Sequence, residues 1–182
     1  VTGVQTCALP ILAESGEDRI AFSSASGYAA NIEMAEALAP AADTSELQDP
    51  EEIATPGVKT IEDLVNFLDV PVTSTVKTLL VKGEATDLVA LVLRGDHQLN
   101  SLKAEKMPEV KAPLEMATEA DIEAAIGCST GSIGPQGLSV PVLVDRSAAA
   151  MRNFVAGANR DGYHVRNLNW DRDAEATAVY DL

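Results

Sequence analysis

Two apolar runs separated by three residues constrain the fold of this 182-residue chain more than any other feature. Residues 76 to 83 read VKTLLVKG, and residues 87 to 96 read DLVALVLRGD. A strand with one wet face alternates apolar and polar side chains. Leu88 to Leu93 do not alternate, so this strand is expected to be buried on both faces. The connection at Glu84 to Thr86 is short enough for a hairpin. A hairpin covered on both sides requires a layered domain.

The remaining pattern supplies the layers. Thr60 with Asp63 forms an approximate capping box ahead of Ile61, Leu64, Val65 and Leu68, which predicts a short helix ended by Pro71. Thr118 with Asp121 predicts a second helix through Ile126. A short helix is expected at 100 to 107, and strands at 114 to 117, 140 to 145, 154 to 156 and 163 to 168, with a helical turn from Arg146 to Met151. Toward the N-terminus, the pattern suggests a strand at Arg19 to Ser23 and a helix from Tyr28 to Leu38. Residues 40 to 57, proline-rich and acidic, read as a linker. Many strands with short helices, not in strict βαβ alternation, predict a mixed α/β, α+β-like domain. With aromatics at 4%, the core must come from Val, Leu, Ile and Ala.

Charge narrows the function classes. A formal net charge of −15 argues against a protein that coats nucleic acid, because phosphate neutralisation needs a basic surface. It leaves room for a small positive pocket. Acidic residues gather at Asp43 to Glu52 and at Asp171 to Glu175, while Lys77, Lys82, Arg94, Lys103, Lys106 and Lys111 lie between them. No stretch approaches the roughly 20 apolar residues of a membrane span, and no secretory signal is expected. Cys7 and Cys128 form no CxxC pair, and His97 and His164 offer few metal ligands. Reduced thiols in a cytoplasmic protein, with no metal and no cofactor, are the expectation.

Three features could carry chemistry. Lys77 stands in an apolar strand, sharing one side with Leu79 and Val81, while Val76, Thr78 and Leu80 share the other. Its stem can cover apolar surface with the ammonium in water, or the ammonium can serve a site. Gly131-Ser132-Ile133-Gly134-Pro135 is a glycine loop whose amides could cradle an anion, although a plain connection fits the same residues. Asp145 ends a strand and His164 follows Gly162-Tyr163. Each could work at a site rim, and each could equally be a helix cap or a structural histidine. Spacing alone stops at a domain with a candidate anion pocket.

In order, the strings TPGVKTIEDL, TVKTLLVKG, LVALVLRGDHQLN, KAEKM, ATEADI, GSIGP, PVLVDRS, FVAGANRDGYH and NLNWDRD resemble the editing insertion of bacterial prolyl-tRNA synthetases, a YbaK-like, synthetase-associated domain. The likeness covers roughly residues 18 to 175. It implies a mixed, largely antiparallel sheet surrounded by short helices, and an aminoacyl-tRNA deacylase that clears alanyl-tRNA(Pro). Lys77 would then face the terminal adenosine and phosphates. Gly131, Ser132, Ile133, Gly134 and Pro135 would shape the aminoacyl pocket. Asp145 and His164 would be polar groups of the same site, His164 associated with specificity, and Arg94, Asp96 and Asn100 would shape it. Cys128-Ser129-Thr130 departs from the small residues or proline usual before this loop.

The resemblance also implies an organisation. Residues 1 to 11 read as a cloning or assembly scar. Residues 12 to 54 form a synthetase-derived lead-in and linker, 55 to 170 the editing domain, and 171 to 182 the start of a return to the synthetase core. The implied partners are the acceptor end of tRNA(Pro) carrying alanine and the rest of a parent synthetase, itself a homodimer, with no membrane. A free-standing deacylase and a non-catalytic module that binds tRNA ends are the alternatives. Aminoacylation is not expected, since no class II ATP-binding motif is recognisable.

Overall fold

The computed structural model of the chain describes residues 20–31 and 33–182, together with the backbone of residues 5 and 6. It divides into two units, 1–37 and 38–182. In the first, β1 (Gln5–Thr6), β2 (Ile20–Phe22) and β3 (Ala29–Asn31) form a small antiparallel sheet in that order. The helix expected from Tyr28 to Leu38 is therefore replaced at its start by a strand. Alanine favours a helix locally, but such propensity is small beside tertiary pairing, and pairing of Ala29 to Asn31 with β2 overrides it. Apart from the backbone of 5 and 6, the segment expected to be a scar lies outside the described residues.

The second unit is built on the predicted hairpin. β5 (Val76–Lys82) pairs antiparallel with β6 (Leu88–Arg94), register Val76 to Arg94 through Lys82 to Leu88. β7 (Val142–Asp145) adds to β6 in parallel, and β10 (Ala178–Tyr180) adds to β7 in parallel, giving the order β10-β7-β6-β5. The long crossover that a parallel pair requires carries α2 (Ser101–Ala104) and α3 (Glu119–Ile126). α1 (Ile61–Leu68) precedes β5 and α4 (Arg146–Ala149) follows β7. A second, antiparallel sheet has the order β4-β9-β8, from Glu51–Ala54, Tyr163–Leu168 and Phe154–Gly157. A parallel bridge between Thr75 and Val155 joins its edge to the start of β5.

Burial follows the strand period. Val76, Leu80, Ala90, Val92 and Val144 face a core shared with Phe154, Leu168 and Ile122, while Val81, Val89, Leu91, Leu93 and Leu143 face another with Ala104 and Leu182. β6 is thus covered on both faces, as its unbroken apolar run requires. Both capping boxes form: Thr60 with Asp63 opens α1 and Thr118 with Asp121 opens α3.

Residues 40 to 57 do not form a free linker. Asp43 N–H donates to Ala150 O, and Asn153 Nδ2 donates to Glu46 O. Residues 51–54 are β4, paired with β9. The strand was hidden because it is an edge carrying charge: Glu51 pairs with Arg166 and Glu52 with Arg160. At 114 to 117 an isolated bridge from Met116 to Val81 stands where a strand was expected.

Leu91 is fully buried at the centre of β6. Leu91→Ala should lower unfolding free energy by about 2–5 kcal/mol in urea titrations, the range for an unrelaxed leucine cavity.

Candidate functional site

A cavity of about 230 Å³ lies where α1, β5, the 130–133 turn and β9 converge. Its walls are Lys59, Thr60, Ile61 and Leu64 at the start of α1, and Val76 to Leu79 on β5. Thr130, Gly131 and Ile133 from the turn, with Gly157 and His164, complete it. Four of the expected site residues meet here: Lys77, Gly131, Ile133 and His164. Ser132, Gly134, Pro135, Arg94, Asp96, Asn100 and Asp145 do not line it.

The turn is held against β8 by backbone packing. A Cβ on Gly134 would overlap the Gly157 carbonyl, and a Cβ on Gly157 would overlap Ser132. Asn159 fastens the same contact. Its Oδ1 accepts from Gly134 N–H at 2.8 Å, its Nδ2 donates to Gln136 O, and its own N–H donates to Ser132 O. Gly131 packs less tightly on Lys59, whose backbone oxygen would lie 2.8 Å from an added Cβ. These glycines permit close approach of chains, which the sequence reading had left open beside ligand binding. Ser132 is buried and Pro135 lies on a separate surface depression with Gly137 and Asp171.

Those contacts also limit which amides can meet an anion. Ser132 N–H donates to Ser129 O, and Gly134 N–H is taken by Asn159. The first amides of a short helical turn have no acceptor within it. In the turn Thr130–Ser132 these belong to Thr130 and Gly131, and both residues line the cavity.

His164 is 4% exposed. Its Nδ1 lies 2.7 Å from Thr55 Oγ1, and the ring also hydrogen-bonds the Gly131 backbone. Burial pushes its pKa below the usual histidine value, partly opposed by the Gly131 contact. The neutral ring therefore ties β9 to the chain after β4 and to the glycine turn. A signal for Thr55 existed in the TPG string but nothing in spacing joined it to His164.

Lys77 Nζ donates to Gly95 O at 3.3 Å. Burial lowers its pKa, and the Asp96 carboxylate works in the opposite direction. Other basic residues of this stretch are paired with carboxylates: Lys82 with Asp121, Arg94 with Asp96, Lys103 with Asp181 and Lys111 with Glu115. The cavity lining contains two lysines and no carboxylate, so this acidic chain keeps a locally positive pocket.

Arg94 and Asp145 belong to a neighbouring polar cluster. Arg94 forks onto Asp96, with Nε at 2.6 Å and Nη2 at 3.0 Å from its two oxygens, and Nη2 also lies 3.0 Å from His97 Nε2. Asp145, 4% exposed, accepts from Ser147 N–H at the start of α4 and from Leu182 N–H, and its Oδ1 stands 3.6 Å from His97 Nδ1. Asn100 caps α2 by accepting from Lys103 N–H. The sequence reading passed over Lys59, Thr60, Leu64 and Gly157 as cavity walls. Thr78 carried one signal, a hydroxyl in the otherwise apolar series Val76, Thr78, Leu80.

Among the described residues no helix is long and apolar enough to cross a membrane, and no cluster of three metal-ligating side chains occurs.

The mixed-sheet domain thus holds a small cavity whose lining includes two lysines, Thr130 and Gly131 of the turn, and no carboxylate. The profile of the aminoacyl-tRNA editing domain matches residues 55–174, and the chain belongs to that family. tRNA is therefore its partner. Two solved structures share the fold, both with a TM-score of 0.56. One is the hypothetical protein APE2540, 21% identical, with 65% of this chain covering 79% of that one. The other is a candidate trans-editing enzyme for prolyl tRNA synthetase, 20% identical, with 64% covering 74%.

The lowered pKa of His164 sets a sign for pH dependence. Above the unfolded value near 6.5 both states are neutral. Below it the unfolded chain takes up the proton first, so stability falls as pH drops from 6.5 toward the lower folded value. Thermal unfolding across that window should show this fall, and His164→Gln should flatten it.

Proposed function

We propose that the chain hydrolyses the ester of alanyl-tRNA(Pro) and is a piece of a bacterial proline–tRNA ligase. The observation that carries this reading is the meeting of Lys77, the Thr130–Gly131 amides and His164 at one cavity. A synthetic site shaped for proline discriminates poorly against smaller alanine, since a missing methylene is worth only about 1–3 kcal/mol. A second pocket that admits alanine and excludes proline supplies the remainder.

The chemistry needs no covalent nucleophile. Lys77, a compact point charge, holds a phosphate of the tRNA end. Water adds to the ester carbonyl, charge develops on its oxygen, and the Thr130 and Gly131 amides stabilise that oxyanion. Collapse expels the ribose oxygen, which takes a proton, and alanine leaves as the free acid. His164, neutral and braced by Thr55, limits the depth of the pocket and so its choice of side chain. Arg94 and Asp145 act as positioning residues: they fix Asp96 and the strand end against which Lys77 rests. Activity in the cytoplasm, beside the rest of a dimeric synthetase, completes this reading.

A second reading, a free-standing deacylase acting in trans, is favoured by the likeness to the candidate trans-editing enzyme for prolyl tRNA synthetase. The source reading frame decides between the two.

Purified chain incubated with alanyl-tRNA(Pro) should release alanine, and with prolyl-tRNA(Pro) should release no proline. Lys77→Ala should slow deacylation by about tenfold or more, as loss of a charge-assisted contact implies. Unchanged deacylation in that variant would remove Lys77 from the mechanism.

A further inference from the structure

The turn Thr130–Ser132, part of which walls the cavity, is clasped at both ends by the loop 158–162 between β8 and β9. After the turn, Asn159 takes the Gly134 N–H. Before it, Asp161 Oδ1 accepts two hydrogen bonds from Ser129, one from its N–H and one from its Oγ, each 2.7 Å. Those contacts hold the Asp161 carboxyl below the usual carboxylate range, and the Lys59 charge works in the same direction. At neutral pH Asp161 is therefore a carboxylate that only accepts, and the Ser129 hydroxyl gives its proton to that bond.

Ser129 stands at the position that caps the turn. Its backbone is extended, at φ −78° and ψ 162°, and its carbonyl accepts from Ser132 N–H. A serine at such a position commonly turns its hydroxyl back to accept from the second or third amide of the helical turn, here Gly131 or Ser132. Ser129 makes no such bond. Ser132 N–H already has its acceptor, so the amide left for the hydroxyl to claim is that of Gly131, on the cavity wall. Asp161 draws the hydroxyl away from it.

We propose that Asp161 is a positioning residue that keeps Ser129 Oγ off the turn, so that the Gly131 amide stays open to the substrate oxygen. This rests on the reading of the Thr130 and Gly131 amides as donors to the ester oxyanion. Asp161 does not line the cavity and acts through Ser129. Its side chain is exposed, so its removal opens no hole in the core.

The test is a pair of variants. Single-turnover deacylation of alanyl-tRNA(Pro) should be about tenfold slower or more in Asp161→Ala, in the direction of losing an oxyanion donor, with the half-saturating tRNA concentration little changed. Adding Ser129→Ala removes the competing hydroxyl, and the double variant should recover most of the rate. A clasp that only fixed the turn would leave the double variant as slow as the single one. Asp161→Asn, whose side-chain oxygen still accepts, should stay nearer the wild type. A second readout needs no tRNA: hydrogen exchange of the Gly131 amide, followed by NMR, should slow in Asp161→Ala and return to the wild-type rate in the double variant. Unchanged Gly131 exchange in a folded Asp161→Ala chain overturns the proposal, as does a double variant that recovers neither exchange nor rate. Full hydrolysis by Asp161→Ala removes the role of Asp161 and leaves the editing reading standing. A wild-type chain that releases no alanine removes the editing reading, and the exchange rates then decide whether Asp161 holds Ser129 Oγ off Gly131.

Discussion

β6 has no solvent side. Six consecutive apolar residues from Leu88 to Leu93 are buried, three on each face, so the sheet must be covered twice. That requirement organises the second unit. One face takes the β4-β9-β8 sheet with α3, and the other takes α2 and the C-terminal residues. β5 is held by β6 along seven residue pairs, and on its opposite edge a single bridge between Thr75 and Val155 ties the chain to β8. The incomplete join between β5 and the second sheet is where the cavity opens. Lys77 and Thr78 line it because they lie at the start of β5, just beyond that bridge.

The cavity's walls are positioned by contacts that bury little area. Gly134 and Gly157 let two backbones touch, and Asn159 closes three hydrogen bonds over the contact. His164 spans from Thr55 to Gly131, so a single imidazole links three segments distant in sequence. Such ties consume the polar groups that make them. Two lysines and the Thr130–Gly131 turn remain in the cavity wall.

The chain's charge bears on the same economy. With a net charge of −15, a general attraction for nucleic acid is absent, and attraction has to be local. Lys82, Arg94, Lys103 and Lys111 pair with carboxylates, whereas the cavity lined by Lys59 and Lys77 has no carboxylate in its walls.

The sequence by itself determined the hairpin, both capped helices, β7, β8 and β9, because each is written in local periodicity or in a cap a few residues away. It also marked Lys77 and the glycine turn as unusual. Tertiary structure decided the rest. β4 was illegible because an exposed edge strand carries charges in place of an apolar alternation, and its partner β9 lies more than a hundred residues on. The segment from Tyr28 misled for the opposite reason: alanine suits a helix locally, and only pairing with β2 makes it a strand. For His164 and Thr78 the company kept was equally non-local. Asp145 as the cap of α4 was legible, because its partner Ser147 is two residues away; nothing in spacing matches His164 to Thr55 or leaves Thr78 without a partner, since both depend on which strands the core brings side by side.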